Sequence, residues 1–308
     1  MNIAKSILET IGNTPLVDLS SLLPAGCTAQ LVAKVESFNP GGSAKDRVGI
    51  AMIEAAEKAG TLAPGGMIIE PTSGNTGVGL AIAAAVKGYR LILTMPDTMS
   101  VERQRLLAAF GAELVLTPGN EGIPGAIAKA QELHAANPGS LIMQQFNNPA
   151  NPEAHRRTTA LELLRDTDND IACFVAGVGT GGTLTGCADV LKKVLPQIHI
   201  AAVEPDCSAV ISGKDPGPHQ LQGIGAGFIP AVLNVDLIDE VVPVSAADAG
   251  DAARNAARKT GVLIGISGGA ALHAAIQIAQ RPIFQNKRIV VLLPDTGERY
   301  LSTWLFEK

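Results

Sequence analysis

Short β-branched runs alternate with alanine-rich stretches of helical spacing along most of this 308-residue chain. That alternation restricts the fold, because parallel strands need long crossovers and a helix is the usual crossover. LVAKVE (31–36), MIIEPT (67–72), YRLILTMP (89–96) and ELVLTP (113–118) read as strands of a first series. DRVGIAMIEAAEKAG (46–60) and the stretches from Thr76 to Lys87 and from Ser100 to Gly111 read as its helices, with Gly60 and Gly111 as stops. A second series follows: helix HRRTTALELLRDT, strand ACFVAGV, helix TLTGCADVLKKVL, strand IHIAAVEP, a Gly/Pro-rich loop to Pro230, helices at 246–260 and GGAALHAAIQIAQ, and strand RIVVLLP. Between the two series lies QQFNNPANPEAH (144–155), whose prolines and asparagines break the periodicity and mark a lobe junction.

The chain exceeds what one typical core holds, so the expected fold is α/β with two lobes, each a mainly parallel twisted sheet flanked by helices. Their expected limits are 1–150 and 151–308, with part of 1–40 crossing to the other lobe and a ligand cleft between them. A net charge of −5 and no Lys/Arg run longer than two argue against nucleic acid as a partner. No segment approaches about 18 uninterrupted apolar residues and the N-terminus lacks a leader pattern, so the expected location is cytoplasmic, away from membranes. Cys27, Cys173, Cys187 and Cys207 form no CxxC pair, and the five histidines form no HExxH pair. Structural thiols and no metal site are expected.

Three glycine-rich loops carry the chemistry. GGSAKDR sets Lys45 at a loop-to-helix junction among residues that let a ligand approach the backbone, and PTSGNTG does the same around Asn75. GVGTGGT (177–183) follows a strand and opens a helix, which gathers backbone N–H groups into an anion-sized pocket to which Thr180 and Thr183 add hydroxyls. Gly177, Gly179 and Gly182 also fit GxGxxG, with Glu204 on the next strand, and alone would indicate a dinucleotide. That reading leaves GGSAKDR and TSGNTG unused, and GGSAKDR lacks the GxxxxGK[ST] spacing of a nucleotide lysine loop. One ligand uses all three loops: an aldehyde cofactor with a phosphate tail, joined to Lys45 as a Schiff base and held by residues 179–183.

IGNTPLV, NPGGSAKDR, PTSGNTG, MPDTMSVERQ, QFNNPANPEAH, GVGTGGTLTG, LQGIGAGFIP, GISGGAAL and LLPDTGERYLST together resemble the fold type II (tryptophan synthase β-like) pyridoxal-phosphate enzymes. Within that family the order of motifs is similar to the cysteine synthase (O-acetylserine sulfhydrylase) branch over nearly the whole chain. The resemblance implies pyridoxal 5′-phosphate on Lys45, Asn75 beside the ring hydroxyl, Gly179, Thr180, Gly181, Gly182 and Thr183 on the phosphate, and Ser267 on the pyridine nitrogen. It implies Thr72, Ser73, Asn75, Thr76 and Gln145 as the clamp on the amino-acid substrate, with Gly223, Gly225 and Gly227 at the entry rim.

The implied reaction converts O-acetyl-L-serine and hydrogen sulfide to L-cysteine and acetate by β-replacement, through an α-aminoacrylate. Implied partners are a second copy, in a homodimer, and serine acetyltransferase. Cystathionine β-synthase, a sister isozyme using thiosulfate, and a non-catalytic role as the acetyltransferase's binding partner are the alternatives. Gly268 departs from the branch, which more often has serine there. His155 reads as a structural histidine.

Overall fold

The computed structural model describes residues 3–307, and among them ten strands and nine α-helices alternate. In chain order these are β1 (Leu16–Asp18), β2 (Gln30–Val35), α1 (Lys45–Ala59), β3 (Met67–Pro71), α2 (Asn75–Lys87), β4 (Arg90–Pro96), α3 (Val101–Ala109) and β5 (Glu113–Thr117). There follow α4 (Gly122–Ala136), β6 (Leu141–Ile142), α5 (Ala150–Arg157), α6 (Thr159–Asp166), β7 (Cys173–Gly177), α7 (Gly182–Val194) and β8 (His199–Pro205). The chain closes with β9 (Glu240–Val244), α8 (Ala246–Thr260), α9 (Ile266–Ala279) and β10 (Arg288–Leu293).

The chain divides into two units. The first joins Asn39–Asn151 to the N-terminal stretch through Ile11, and the second joins Gly12–Phe38 to everything from Pro152 onward. In the first unit a four-stranded parallel sheet runs in the order β5-β4-β3-β6. One face packs Ile68, Leu91 and Leu93 against Val48, Met52 and Leu80 of α1 and α2. The other packs Ile69 and Ile92 against Ala130 of α4. Strands covered on both faces explain the nearly unbroken apolar runs MII and LIL.

The second unit holds a six-stranded sheet ordered β1-β2-β10-β7-β8-β9, parallel except for β1, which pairs antiparallel with β2. Val175, Val203 and Val291 face a layer that includes Ala253, Ala271 and Ala275 of α8 and α9. Phe174, Ala202 and Val290 face Leu163 of α6 and Leu184 of α7. Strand β2 runs beside β10 in register from Gln30 opposite Arg288 to Val35 opposite Leu293. Its fully buried Lys34 Nζ donates to the Thr14 carbonyl at 2.6 Å and pairs with Glu162 at 2.7 Å. A buried ammonium persists only when so partnered, so these bonds fix the Gly12–Phe38 segment in this unit.

Three elements differ from the sequence reading. Helix α4 had no signal, because Gly122, Pro124 and Gly125 look like a loop; proline is tolerated in a first helical turn, where its missing N–H has no partner to lose. The single helix expected over 155–167 is two, broken at Thr158 (φ −125°, ψ −76°). The segment expected to be aperiodic contains α5, which starts at Ala150 with Pro152 in its first turn. Strands β1, β6 and β9 are two to five residues long and lie at sheet edges, where no long apolar run is required.

Candidate active site

In the first unit, Lys45 opens α1 and is half-buried, with Ala44 at the N-cap position. The loop before it is shaped by backbone: Gly42 has φ +74° and its N–H bonds the Asn39 carbonyl at 2.7 Å. Asp46, itself buried, turns back so that Oδ2 accepts the Gly41 N–H at 2.5 Å. A Cβ on Gly41 would stand 2.4 Å from Asp46 Oδ1, so the glycine is what lets that carboxylate close the loop. Helix α2 lies against α1 at backbone distance, since a Cβ on Gly79 would stand 2.3 Å from the Lys45 carbonyl and one on Gly49 2.5 Å from Gly79 carbon. The N-terminus of α2, with Asn75 and Thr76, is thereby brought to Lys45. Gly74, not Asn75, occupies the N-cap of α2, which removes helix capping as the reason for Asn75.

The Thr72–Thr76 loop continues β3. Thr72 Oγ1 accepts the Gly74 N–H at 3.2 Å, and Thr76 Oγ1 donates to Gln145 Oε1 at 2.6 Å. Thr72, Thr76 and Gln145 are all buried. Ser73 Oγ sits 2.9 Å from Met99 Sδ, a weak acceptor, in the turn after β4. Sequence reasoning missed Glu70, which lies on β3 two residues before Thr72 and is 1% exposed. Its carboxylate takes the N–H of Gln144 at 3.0 Å and of Gln145 at 3.4 Å. Burial pushes its pKa up to about 7, against the lowering effect of the backbone N–H groups of Gln144, Gln145 and Met143.

In the second unit, GVGTGGT joins β7 to α7, with Gly181 (φ +82°) at the N-cap. A Cβ on Gly179 would stand 2.2 Å from the Gly223 carbonyl oxygen, and one on Gly181 2.7 Å from Leu233 Cβ. The Gly223–Gly227 loop rests on the same turn through the Gly225 N–H, which donates to the Val178 carbonyl at 3.0 Å. Gly223, Gly225 and Gly227 all have positive φ. Ser267 is the second residue of α9, buried, and Gly265 holds the N-cap that an isolated serine would be expected to fill. A Cβ on Gly223 would lie 3.3 Å from Ser267 Oγ, so that hydroxyl faces the Gly223 turn. At Gly268 a Cβ would meet Ile264 and Pro294, so the departure from serine there is a matter of packing.

His155 is fully buried, with Nδ1 2.9 Å from Thr159 Oγ1 and Nε2 3.1 Å from Thr183 Oγ1. Gly186 permits this, because a Cβ there would stand 2.2 Å from the Pro152 carbonyl and hold α5 away from α7. The available signal was Gly186 lying three residues after Thr183, on the same helix face. The free Cys173 is buried in β7 and burial pushes its thiol far up, which leaves it inert. Among the described residues no helix is long and apolar enough to cross a membrane, and no three His, Cys, Asp or Glu side chains cluster as a metal site.

The family model described as "Pyridoxal-phosphate dependent enzyme" matches residues 7–295. The chain belongs to that family. This pyridoxal-phosphate dependent enzyme is 52% identical over 302 residues to a cysteine synthase of Staphylococcus aureus, covering 98% of this chain and 96% of that protein. Among solved structures it is similar to a cysteine synthase of Entamoeba histolytica, with TM-score 0.96, 47% identity and coverage of 99% and 91% of the two chains. It is also similar to an O-ureido-L-serine synthase, with TM-score 0.94, 44% identity and coverage of 99% and 95%. The α/β architecture, with mainly parallel sheets flanked by helices, is that of these neighbours.

The residues fit the cofactor of the family. The turn at 179–183 offers successive backbone N–H groups at a helix N-terminus, two threonine hydroxyls and no acidic side chain, which is the donor set a phosphate dianion requires. Gly179 and Gly181 keep Cβ atoms out of that turn, where other parts of the backbone approach too closely to admit one.

Proposed function

We propose that the chain catalyses β-replacement on O-acetyl-L-serine, with sulfide as the incoming group and L-cysteine and acetate as products. The observation that carries this reading is the buried Thr72, Thr76 and Gln145 cluster beside Lys45, in a chain 52% identical to a cysteine synthase. Hydroxyls, a side-chain amide and loop N–H groups suit an amino-acid carboxylate without requiring arginine.

In this reading Lys45 holds pyridoxal 5′-phosphate covalently at Nζ, Asn75 borders the ring hydroxyl, Gly179–Thr183 grip the phosphate and Ser267 meets the pyridine nitrogen. The bound cofactor supplies an electron sink for the substrate's α-carbon. Lys45 Nζ would be the general base that takes the substrate's α-proton, with acetate as the leaving group from the β-carbon. Ser267, a neutral side chain, would offer the ring nitrogen only a hydrogen bond, which suits an elimination whose electrons leave with the acetate. His155 Nε2 lies 3.1 Å from Thr183 Oγ1 and so would fix the position of that hydroxyl at the turn that would hold the phosphate. Gly223 shapes the turn over Ser267, at the rim through which substrate enters.

The same reading places the chain in a homodimer and in a complex with serine acetyltransferase, on the resemblance of its motifs alone. Sedimentation with and without the acetyltransferase tests both. The catalytic reading is tested by turnover of O-acetyl-L-serine with sulfide, thiosulfate or homocysteine, alongside Lys45→Ala. Sulfide is expected to give the highest kcat/KM, and Lys45→Ala to abolish turnover. Preference for homocysteine would move the reading to cystathionine β-synthase chemistry, and preference for thiosulfate to the sister isozyme.

A further inference from the structure

Two limbs of the first unit converge on one buried carboxylate. From β3 the chain runs directly into Thr72–Thr76, and from β6 it runs into Met143–Gln145. Glu70, on the first limb, accepts N–H groups from the second, with Oε2 on Gln144 and Oε1 on Gln145. Gln144 has φ +55°, a left-handed conformation that a residue with a side chain adopts at a cost. Its carbonyl is in turn held by the N–H groups of Asn147 and Asn148, both at 2.9 Å. The next residue, Gln145, accepts from Thr76 through Oε1, and its carbonyl accepts from Asn151 Nδ2 at 2.8 Å. The Gln145 backbone is thus held at its N–H by Glu70 and at its carbonyl by Asn151, while its side chain meets Thr76.

We propose that Glu70 is a positioning residue: its carboxylate holds the Gln144–Gln145 turn and thereby aims the Gln145 amide at Thr76 and the amino-acid substrate. The proposal rests on the assignment of Thr72–Thr76 and Gln145 as the substrate clamp. Glu70 is 1% exposed and is not itself part of the proposed clamp. An ionised carboxylate bonds N–H groups about twice as strongly as a neutral acceptor, so protonation loosens the turn. The pKa of about 7, raised by burial, brings that change near neutral pH.

Charged groups on the elements packed against β3 are engaged elsewhere. On α4, Lys129 pairs with Glu132 and His134 bonds Ser140; on β4, Arg90 pairs with Glu113; β6 carries only Leu141 and Ile142.

The test compares wild type with Glu70→Gln, Glu70→Asp, Gln145→Ala and the Glu70→Gln/Gln145→Ala double variant. The readouts are kcat and KM for O-acetyl-L-serine from about pH 6 to 8.5, and amide hydrogen exchange at residues 143–145. KM of the wild type is expected to rise as pH falls through about 7. Glu70→Gln should hold KM at a raised value across the range, roughly five- to tenfold, with a smaller effect on kcat and faster exchange at Gln144 and Gln145. Glu70→Asp should recover the pH dependence, and Glu70→Gln should add little to Gln145→Ala. If Gln145→Ala raises KM while Glu70→Gln tracks wild type at every pH, or if the two effects multiply, the proposal is overturned and the clamp reading stands. If Gln145→Ala leaves KM unchanged, the clamp reading falls and the proposal with it. Should Glu70→Gln not fold, wild-type exchange at Gln144 and Gln145 decides: protection lost as pH falls through about 7 supports the proposal, and constant protection overturns it.

Discussion

The Thr72–Gln145 cluster and the Gly179–Thr183 turn solve similar problems with different materials. The first is held by side chains: Asp46 closes the loop before Lys45, Glu70 holds the Gln144–Gln145 turn, and Thr76 meets Gln145. The second is held by the absence of side chains, since neighbouring backbone or Leu233 lies where Cβ atoms would be on Gly179 and Gly181. Hydrogen bonds to carboxylates vary with pH and weaken by degrees, whereas a steric limit is met abruptly. On the proposed assignment, substrate would enter and leave and call for an adjustable grip, while a phosphate anchor would serve by staying fixed.

The largest test of that contrast is Gly179→Ala. Its Cβ would stand 2.2 Å from the Gly223 carbonyl oxygen, which is backbone and cannot swing aside. Overpacking of this kind costs about 1–3 kcal/mol, and because the strain falls on the anchor, cofactor retention should weaken roughly ten- to a hundredfold. Titration of the apoenzyme with pyridoxal 5′-phosphate measures it. Unchanged affinity would mean that the turn yields and that the contrast is overdrawn.

The next effect belongs to the other region. Glu70 has a folded pKa of about 7 against an ordinary 4.5, so between those values the folded chain binds the proton and the unfolded chain does not. Its contribution is fully present below about pH 4.5 and is lost as pH rises through about 7, a change of about 3 kcal/mol. Denaturant melts of wild type and Glu70→Gln at several pH values isolate it, because the variant lacks this component of the slope. Parallel curves would remove Glu70 from the list of titrating groups.

Thr183→Val tests the link between the glycine turn and His155. The hydroxyl meets His155 Nε2, so its loss removes that hydrogen bond from a buried histidine and should cost about 1–2 kcal/mol of stability along with a few-fold loss of cofactor affinity. A fall in stability alone would make His155 purely structural.

Much of this arrangement was legible in the sequence, for physical reasons that differ by element. The long strands β3, β4, β7, β8 and β10 announce themselves because both faces are covered and each carries a mostly apolar run. The glycine motifs announce tight loops, and in the structure Asp46 lies where a Cβ on Gly41 would be and the Gly223 carbonyl where one on Gly179 would be; the contact of Gly79 with the Lys45 carbonyl lies outside those motifs. Glu70 was invisible because one glutamate inside the apolar run MIIEP carries no spacing signal, and its partners lie about seventy residues away. His155 was read as structural because its bond to Thr183 depends on α5 and α7 meeting over Gly186, a tertiary fact. Helix α4 was hidden by the glycines and the proline that its first turn tolerates.

The smallest prediction separates two reasons for a glycine. Gly60 ends α1 in the left-handed region, with φ +70°, and a Cβ added there would meet nothing within 4 Å. Gly60→Ala therefore bears conformational strain without a clash, about 1 kcal/mol, read as a small drop in melting temperature. It should leave cofactor affinity and KM unaltered, because the C-terminus of α1 is a full helix length from Lys45. Set against Gly179→Ala, it divides the cost of backbone angle from the cost of occupied space. If both variants weaken cofactor binding alike, the damage at Gly179 is general loosening of the fold and the phosphate turn has no special rigidity. If only Gly179→Ala does, the rigidity of that turn comes from the backbone packed against it.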